Sequence, residues 1–480
     1  MTGFIGRTAE LGLLRRRLAR VQETGEGSAL AIKGRRQIGK SRLLQEFCDA
    51  AAVPYFFYTA IKGASPVDSV GRFCRELKES ALPVDAELVS VLESGNWHDA
   101  FRQLAAVLPA GPSVVVLDEL PWLAEQSEVF DGSLQVAWDR LMSSRPVLLI
   151  LLGSDLHMME RFTAYDRPFY GRADPMTLGP LNPAETGAAT GLDGADALDA
   201  QLVSGGLPGI LRAWPYGMPA LEFVRGESAE PASPLFSVPE TALMAEFPAP
   251  DLSRRVLEAI GSGDRTQANI AAAAGGQGGA LPSGSLSPLL QRLTQEKRVV
   301  AVEEPLSTTP GKPALYHVAD SNLRFYLAAL RPAQELSRRG RPEVGFRLVE
   351  RRWSAWRGRA VEPLIRESLA LALAAGALPW PDAEVVGGWW NRAFAPEVDL
   401  VGADRAPVAR RILFTGSVKW HDGPFDGHAL RALFEAAVHV PGVIAGETGT
   451  VVVSRSGMVP GLAPVDVLWG PEDVVGAWRP

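Results

Sequence analysis

Apolar positions follow two different rhythms along this chain, and the change between them divides it. In the first part they come as short unbroken runs, Ala29 to Ile32, the aromatic Tyr55 to Thr59, and the cores of 113-SVVVLDEL-120 and 146-PVLLILLGSD-155. Runs this short, ended by polar residues, predict strands buried on both faces, as in a parallel sheet. Between them the spacing lengthens to three and four. Leu11 to Val21 reads as a basic amphipathic helix packed on that sheet, and Ser41 to Phe47 opens a helix through Leu43, Leu44 and Phe47.

From Asn182 the texture becomes Ala-rich and helical, interrupted by 203-VSGGLPGIL-211, and reads as a small helical lid. A Ser- and Pro-rich segment to about Pro239 reads as a linker. Three helices follow, Ser253 to Ile260, Thr266 to Ala274, and Ser285 to Arg298 with Leu286, Leu289, Leu290 and Leu293 on one face. A strand pair, Val299 to Glu303 and Ala314 to Val318, is joined by a turn containing Thr-Pro-Gly-Lys, and this order describes a winged helix. The last part predicts a helix from about Arg352 to Ala375, three successive strands at 384–392, 397–404 and 410–420, a helix from Asp426 to Val438 and a strand at 450–457.

Composition narrows the classes. With 480 residues the chain has room for roughly three domains. A net charge of −7 excludes a wholly basic nucleic-acid or membrane binder and leaves only local basic faces. The N-terminus lacks the apolar segment of a signal peptide and no run is long enough for a membrane span, so a cytoplasmic protein is expected. Cys48 and Cys74 read as small buried residues rather than a disulfide framework. The six histidines form no zinc-binding pattern. No repeat period appears, and 276-GQGGALPSGS-285 is the nearest approach to low complexity.

The chemistry begins where the first strand meets its helix. There Gly34, Gly39, Lys40 and Ser41 fill the pattern G-x-x-x-x-G-K-[ST]. Glycines let backbone amides turn inward around phosphate oxygens, the positive end of the helix faces the same anion, the lysine reaches the β- and γ-phosphates and the serine hydroxyl serves Mg²⁺. The phosphate cradle therefore comprises Gly34, Arg35, Arg36, Gln37, Ile38, Gly39, Lys40, Ser41 and Arg42. Farther on, Asp118 ends a valine-rich strand and would hold Mg²⁺ with Ser41, while Glu119 would orient the attacking water. Ser154 ends the next strand at the same sheet edge, placed to hydrogen-bond the γ-phosphate or the water. In the Gly- and Pro-broken loop 165–181, Arg167 and Arg172 are candidates to stabilise transition-state charge.

In the second part the signals are softer. The third helix of the winged-helix pattern would present Ser287, Gln291, Arg292 and Gln295 to a major groove, but it carries little positive charge, which leaves DNA contact and protein docking both open. Between Arg331 and Arg359 nine arginines stand against three glutamates, and this stretch reads either as a solvated helix face or as a phosphate-contacting patch. Glu362 on a helix, Asp399 on one strand and Lys419 on the next outline the metal site of a restriction-endonuclease-like fold. The fold class expected is thus α/β: a P-loop NTPase parallel sheet over residues 1–181, a helical lid and linker over 182–238, a winged helix over 239–335, and an α/β restriction-endonuclease-like domain over 336–480.

Together FIGR at Phe4 to Arg7, GRRQIGKS, VVVLDEL, LLGSD, YGR, SGGLP, VEPLIRESL, EVDLV and GSVKW make the chain resemble the archaeal-type prokaryotic ATPases. These are P-loop proteins of the AAA+ and STAND group with a C-terminal restriction-endonuclease-like domain. The resemblance implies that Ile5, Gly6 and Arg7 line the adenine pocket, that Arg172 of YGR is the arginine sensor or finger, and that SGGLP is a lid element responsive to nucleotide state. It implies catalytic roles for Lys40, Glu119, Arg172 and Ser154, with ATP and Mg²⁺ as cofactors. The family's third-strand pattern is Glu-x-Lys, whereas this chain has Ser417-Val418-Lys419. A neutral serine replaces a metal-binding carboxylate, so Glu362, Asp399 and Lys419 are read as a degenerate centre.

The function expected is an ATPase switch coupling nucleotide state to DNA or protein binding by the C-terminal domains. Its alternatives are an ATP-gated metal-dependent nuclease and a non-enzymatic docking regulator. Expected partners are ATP, double-stranded DNA or a protein, and further copies of the chain if Arg172 acts across an interface, but not a membrane.

Overall fold

A computed structural model describes residues 4–83, 96–247, 251–276, 279–311 and 313–479. Lys312, the lysine of the predicted hairpin turn, and residues 277–278 of the Gly-rich stretch lie outside them. The chain forms two compact units, Met1–Pro180 and Leu181–Pro480.

In unit 1 the strands β1 (Ser28–Lys33), β2 (Tyr55–Thr59), β3 (Ser113–Asp118), β4 (Val147–Gly153) and β5 (Asp174–Thr177) pair in parallel in the order β2-β3-β4-β1-β5. Every residue of β3 and β4 is buried, the consequence of helices on both faces. One face meets Pro66–Lys78, Trp97–Val107 and Phe130–Ala137. There Phe73 stands edge-on to Phe56, Trp97 and Phe101 at 5.0, 5.5 and 5.8 Å, contacts that each add about 0.5–1.5 kcal/mol beyond burial. The opposite face is covered by Thr8–Thr24, which packs on β4 and on Lys40–Ala50. Strand β5 falls inside the stretch expected to be a loop. Its four residues are barely buried, so no apolar run marks it, and backbone pairing with β1 alone defines it.

Unit 2 opens with the helices Pro183–Thr190 and Gly194–Ser204. The segment expected to be a linker instead contains the helix Pro234–Glu246. Pro234 lies in its first turn, where no amide partner is lost, and burial of Leu235, Phe236, Pro239 and Leu243 outweighs the prolines that suggested a loop. The helices Leu252–Ser262, Gln267–Gly275 and Ser283–Gln291 come next, the last continuing through a π-turn at Arg292–Glu296. Strands β6 (Val300–Glu303) and β7 (Leu315–Val318) form an antiparallel hairpin.

The single helix expected near Arg352 to Ala375 is two, Pro342–Ala360 and Glu362–Ala374. Pro363 cannot donate to the carbonyl of Arg359, which accepts from Arg324 Nη2 at 3.4 Å instead. Then β8 (Val385–Trp390), β9 (Glu397–Ala403) and β10 (Ile412–Lys419) pair antiparallel. The helix Gly427–Ala437 follows, and β11 (Gly449–Ser454) and β12 (Val467–Trp469) extend the sheet in parallel. The short β12 had no counterpart in the sequence reading. Leu306, just past β6, joins Trp389, Val398 and Val401 in the core of this sheet.

Candidate nucleotide site

The loop between β1 and the helix Lys40–Ala50 is shaped by what cannot fit in it. A Cβ on Gly34 would lie 2.5 Å from Ile38 Cδ1 and 2.6 Å from the Leu178 carbonyl, so only glycine allows this turn. Lys40 begins the helix, and its Nζ donates back to the carbonyls of Gly34 at 2.8 Å and Arg35 at 2.7 Å. Burial pushes the Lys40 ammonium down to about 8, against the pull of Glu119 and Asp118. Arg35 is half-buried and Arg36 and Gln37 are exposed, while Ile38 is buried under the loop. Arg42 is exposed and pairs with Glu46 one helical turn on, at 3.2 Å.

The next strands bring the acids to the same helix start. Asp118 is buried, and burial raises its carboxyl against the hydrogen bond from Ser41. Ser41 Oγ donates to Asp118 Oδ2 at 2.8 Å, and the Glu119 amide donates to Oδ1 at 2.8 Å. Glu119 has a left-handed backbone (φ 53°), and both its oxygens accept from Ser154 Oγ at 2.8 Å. Lys40 and Ser41 therefore lie within reach of Asp118, and Glu119 and Ser154 form a second pair beside them.

Three arginines have partners that sequence alone did not reveal. Arg7 is buried, and its Nη2 donates to the carbonyls of Ile38 at 3.0 Å and Gly179 at 2.7 Å while Nη1 pairs with Glu10 at 3.0 Å. Its guanidinium braces the P-loop from behind, next to the half-buried Ile5 and Gly6. Arg172 is gripped by Asp139, Nε to Oδ1 and Nη2 to Oδ2 both at 2.8 Å, and its Nη1 donates to the carbonyls of Pro168 and Tyr170. Arg167 pairs with the buried Asp131. Asp131 and Asp139 were not singled out in the sequence, since nothing local links them to a loop more than twenty residues on.

In unit 2 two of the predicted nuclease residues, Glu362 and Asp399, meet around a residue that was overlooked, Arg366. Asp399 Oδ2 accepts from Ser417 Oγ at 3.0 Å and the Val418 amide at 2.8 Å. Arg366 donates from Nε to the Asp399 carbonyl at 3.0 Å, from Nη1 to Glu303 at 2.8 Å and from Nη2 to Glu362 at 3.3 Å. Burial pushes the Glu362 carboxyl up to about 7 despite Arg366. Burial would also raise Glu303, but Arg366 and then His317, 3.4 Å away, hold it below its usual value. Lys419 is half-buried at the end of β10. The available signal was the i,i+4 spacing of Glu362 and Arg366, which puts both on one helix face.

The basic stretch is not one solvent patch. Arg357 is buried and pairs with Asp199 and Asp422, both at 3.1 Å, while Arg331 meets Glu258 at 2.7 Å and Arg338 meets Glu240 at 2.8 Å. In the SGGLP turn a Cβ on Gly206 would sit 2.0 Å from the Leu181 carbonyl, whose amide bonds back to Gly206 at 3.0 Å. Cys48 and Cys74 are buried and unpaired. Among the described residues no helix is long and apolar enough to cross a membrane.

Residues 3–150 match the model of the AAA ATPase domain family. This part of the chain thus carries an AAA ATPase domain of the P-loop type, a nucleotide-binding class, on the parallel sheet of unit 1. No curated protein matches the chain. Among solved structures it is similar to a Walker-type ATPase of Pyrococcus abyssi, at 18% identity and a TM-score of 0.49, with 68% of this chain and 96% of that one covered. It is also similar to the ORC2 protein of Aeropyrum pernix in ADPNP and ADP complexes, at 14% identity and a TM-score of 0.44, covering 73% and 97%. The ORC1 protein of Aeropyrum pernix in complex with DNA follows at 15% identity and a TM-score of 0.32, covering 72% and 94%. At these identities and TM-scores no residue role is transferred from them.

Proposed function

We propose that this protein is an ATP-binding, slowly hydrolysing molecular switch whose nucleotide state governs binding by its C-terminal modules. The observation that carries the reading is the convergence of Lys40, Ser41, Asp118, Glu119 and Ser154 at the carboxyl ends of β1, β3 and β4. The loop fits a polyphosphate because its Gly34 cradle admits no side chain and the hydrogen bonds of Lys40 go to neutral carbonyls. Ser41 and Asp118 are the residues to hold Mg²⁺, which when bound supplies charge neutralisation on the phosphate oxygens.

In this mechanism Lys40 exchanges its two carbonyl partners for phosphate oxygens. Glu119 orients the attacking water, and Ser154 fixes the Glu119 carboxylate until then. Arg172 serves as the arginine sensor by exchanging Asp139 for phosphate charge. Arg7 acts as a positioning residue, through the carbonyl of Ile38.

Downstream, the three helices and β6–β7 hairpin are read as a winged helix, and the later αβββαβ order as a restriction-endonuclease-like domain. Protein docking is favoured over DNA contact by one observation. Polar side chains of the third helix already have protein partners, Gln291 with Gln295 at 3.2 Å and Ser287 with Gln267 of the second helix at 3.1 Å, and several arginines downstream are neutralised by acids.

The test is calorimetric ATP binding and turnover, with and without duplex DNA. Lys40→Ala should lose binding by more than about 100-fold, and Glu119→Gln should bind normally with turnover down by a similar factor. Parental turnover in Glu119→Gln would refute the role given to that carboxylate.

A further inference from the structure

The centre expected from Glu362, Asp399 and Lys419 does not fit a divalent ion. Among the described residues no three His, Cys, Asp or Glu side chains are grouped to hold one. The carboxylate oxygen that would face such an ion is already committed, Asp399 Oδ2 accepting from Ser417 Oγ and the Val418 amide, and the Asp399 carbonyl and Glu362 are taken by Arg366. Ser417, where a carboxylate would have faced the ion, is a donor to Asp399 rather than a ligand.

We infer that the Arg366 guanidinium has taken the divalent ion's place, turning a hydrolytic centre into an internal cation clamp that fastens the β6–β7 hairpin to the C-terminal sheet. Each nitrogen of the guanidinium reaches a different segment. Nε takes the β9 backbone at Asp399, Nη1 takes Glu303 at the end of β6, and Nη2 takes Glu362 on its own helix. The side chain is 11% exposed, and a guanidinium keeps its charge at any pH the fold survives.

The surrounding backbone is cut to this shape. A Cβ on Gly388 of β8 would stand 2.7 Å from Arg366 Nη2 and 3.3 Å from the Asp399 carbonyl, so the glycine opens the space that the guanidinium fills. The chain leaving β6 is pinned beside it. The Leu306 amide donates to the Gly388 carbonyl at 2.9 Å, and Trp390 Nε1 donates to the Pro313 carbonyl at 2.7 Å. Arg366 holds the hairpin through the Glu303 side chain, and these two contacts hold the backbone that follows it.

The test uses nucleotide-free full-length protein, so its result does not depend on whether ATP binds. Mn²⁺ is titrated into the parent and into Asp399→Asn, with bound ion read by paramagnetic resonance. Equal uptake by the two, whether zero or confined to another site, is the expected result. One equivalent held by the parent and lost from Asp399→Asn overturns the inference. Should that variant fail to fold, the parent alone decides. Fe²⁺ with ascorbate cleaves backbone beside a bound ion, so cuts between Val398 and Trp420 overturn the clamp and their absence supports it.

Discussion

The end of β3 in unit 1 and the middle of β9 in unit 2 hold the same three kinds of side chain. Each has an aspartate, Asp118 or Asp399, that accepts from a serine hydroxyl, Ser41 at 2.8 Å or Ser417 at 3.0 Å. Each has a cation close by. The difference is what that cation holds. Lys40 is tied to neutral carbonyls, which an anion can outbid, whereas Arg366 is tied to two carboxylates and a carbonyl, which it would have to leave unpaired. A cation stays exchangeable when its partners are neutral or exposed, as for Lys40 and for Arg172 with the 40% exposed Asp139, and becomes structure when its partners are buried opposite charges.

The largest effect that should separate the two concerns stability. Arg366→Met strands Glu303 and Glu362 and should lower unfolding free energy by about 3 kcal/mol in urea titrations, whereas Lys40→Met, which breaks hydrogen bonds to carbonyls alone, should change it by less than about 1 kcal/mol. Equal losses would erase the contrast.

The exchangeable site should also respond to pH. With the Lys40 ammonium near 8 in the free protein and raised again beside phosphate, ATP affinity is fully present below pH 8. It should fall as pH rises through that value, by up to about tenfold per unit, as read by calorimetry between pH 7 and 9.5. A flat profile would mean that burial does not lower the lysine in solution.

The serines give the smallest effect. Ser417→Ala should cost about 1 kcal/mol or less, because the Val418 amide still serves Asp399, and should leave ATP binding untouched. Ser41→Ala should be similar in stability yet weaken Mg²⁺-dependent ATP binding. Identical behaviour of the two in binding assays would deny Ser41 its role.

How much of this could be read from the residues depended on how locally it was encoded. The parallel sheet of unit 1 was legible because β3 and β4 are buried throughout and so appear as plain apolar runs. The Lys40 site was legible because its loop is contiguous. Strand β5 was hidden, since a barely buried edge leaves no apolar trace, and the helix Pro234–Glu246 was hidden under its prolines. The clamp was illegible for another reason. Glu303 lies 63 residues before Arg366, and the third partner is a backbone carbonyl, which no sequence pattern records.

The two bonds that Lys40 makes to its own loop carry a consequence for selectivity. An incoming anion must compensate the ammonium for two acceptors at 2.7 and 2.8 Å before any net attraction remains. A lone inorganic phosphate brings few contacts with which to do so, whereas a nucleotide tail spreads the cost over several oxygens. The resting loop thereby discounts small competing ions and reserves itself for longer, more highly charged guests.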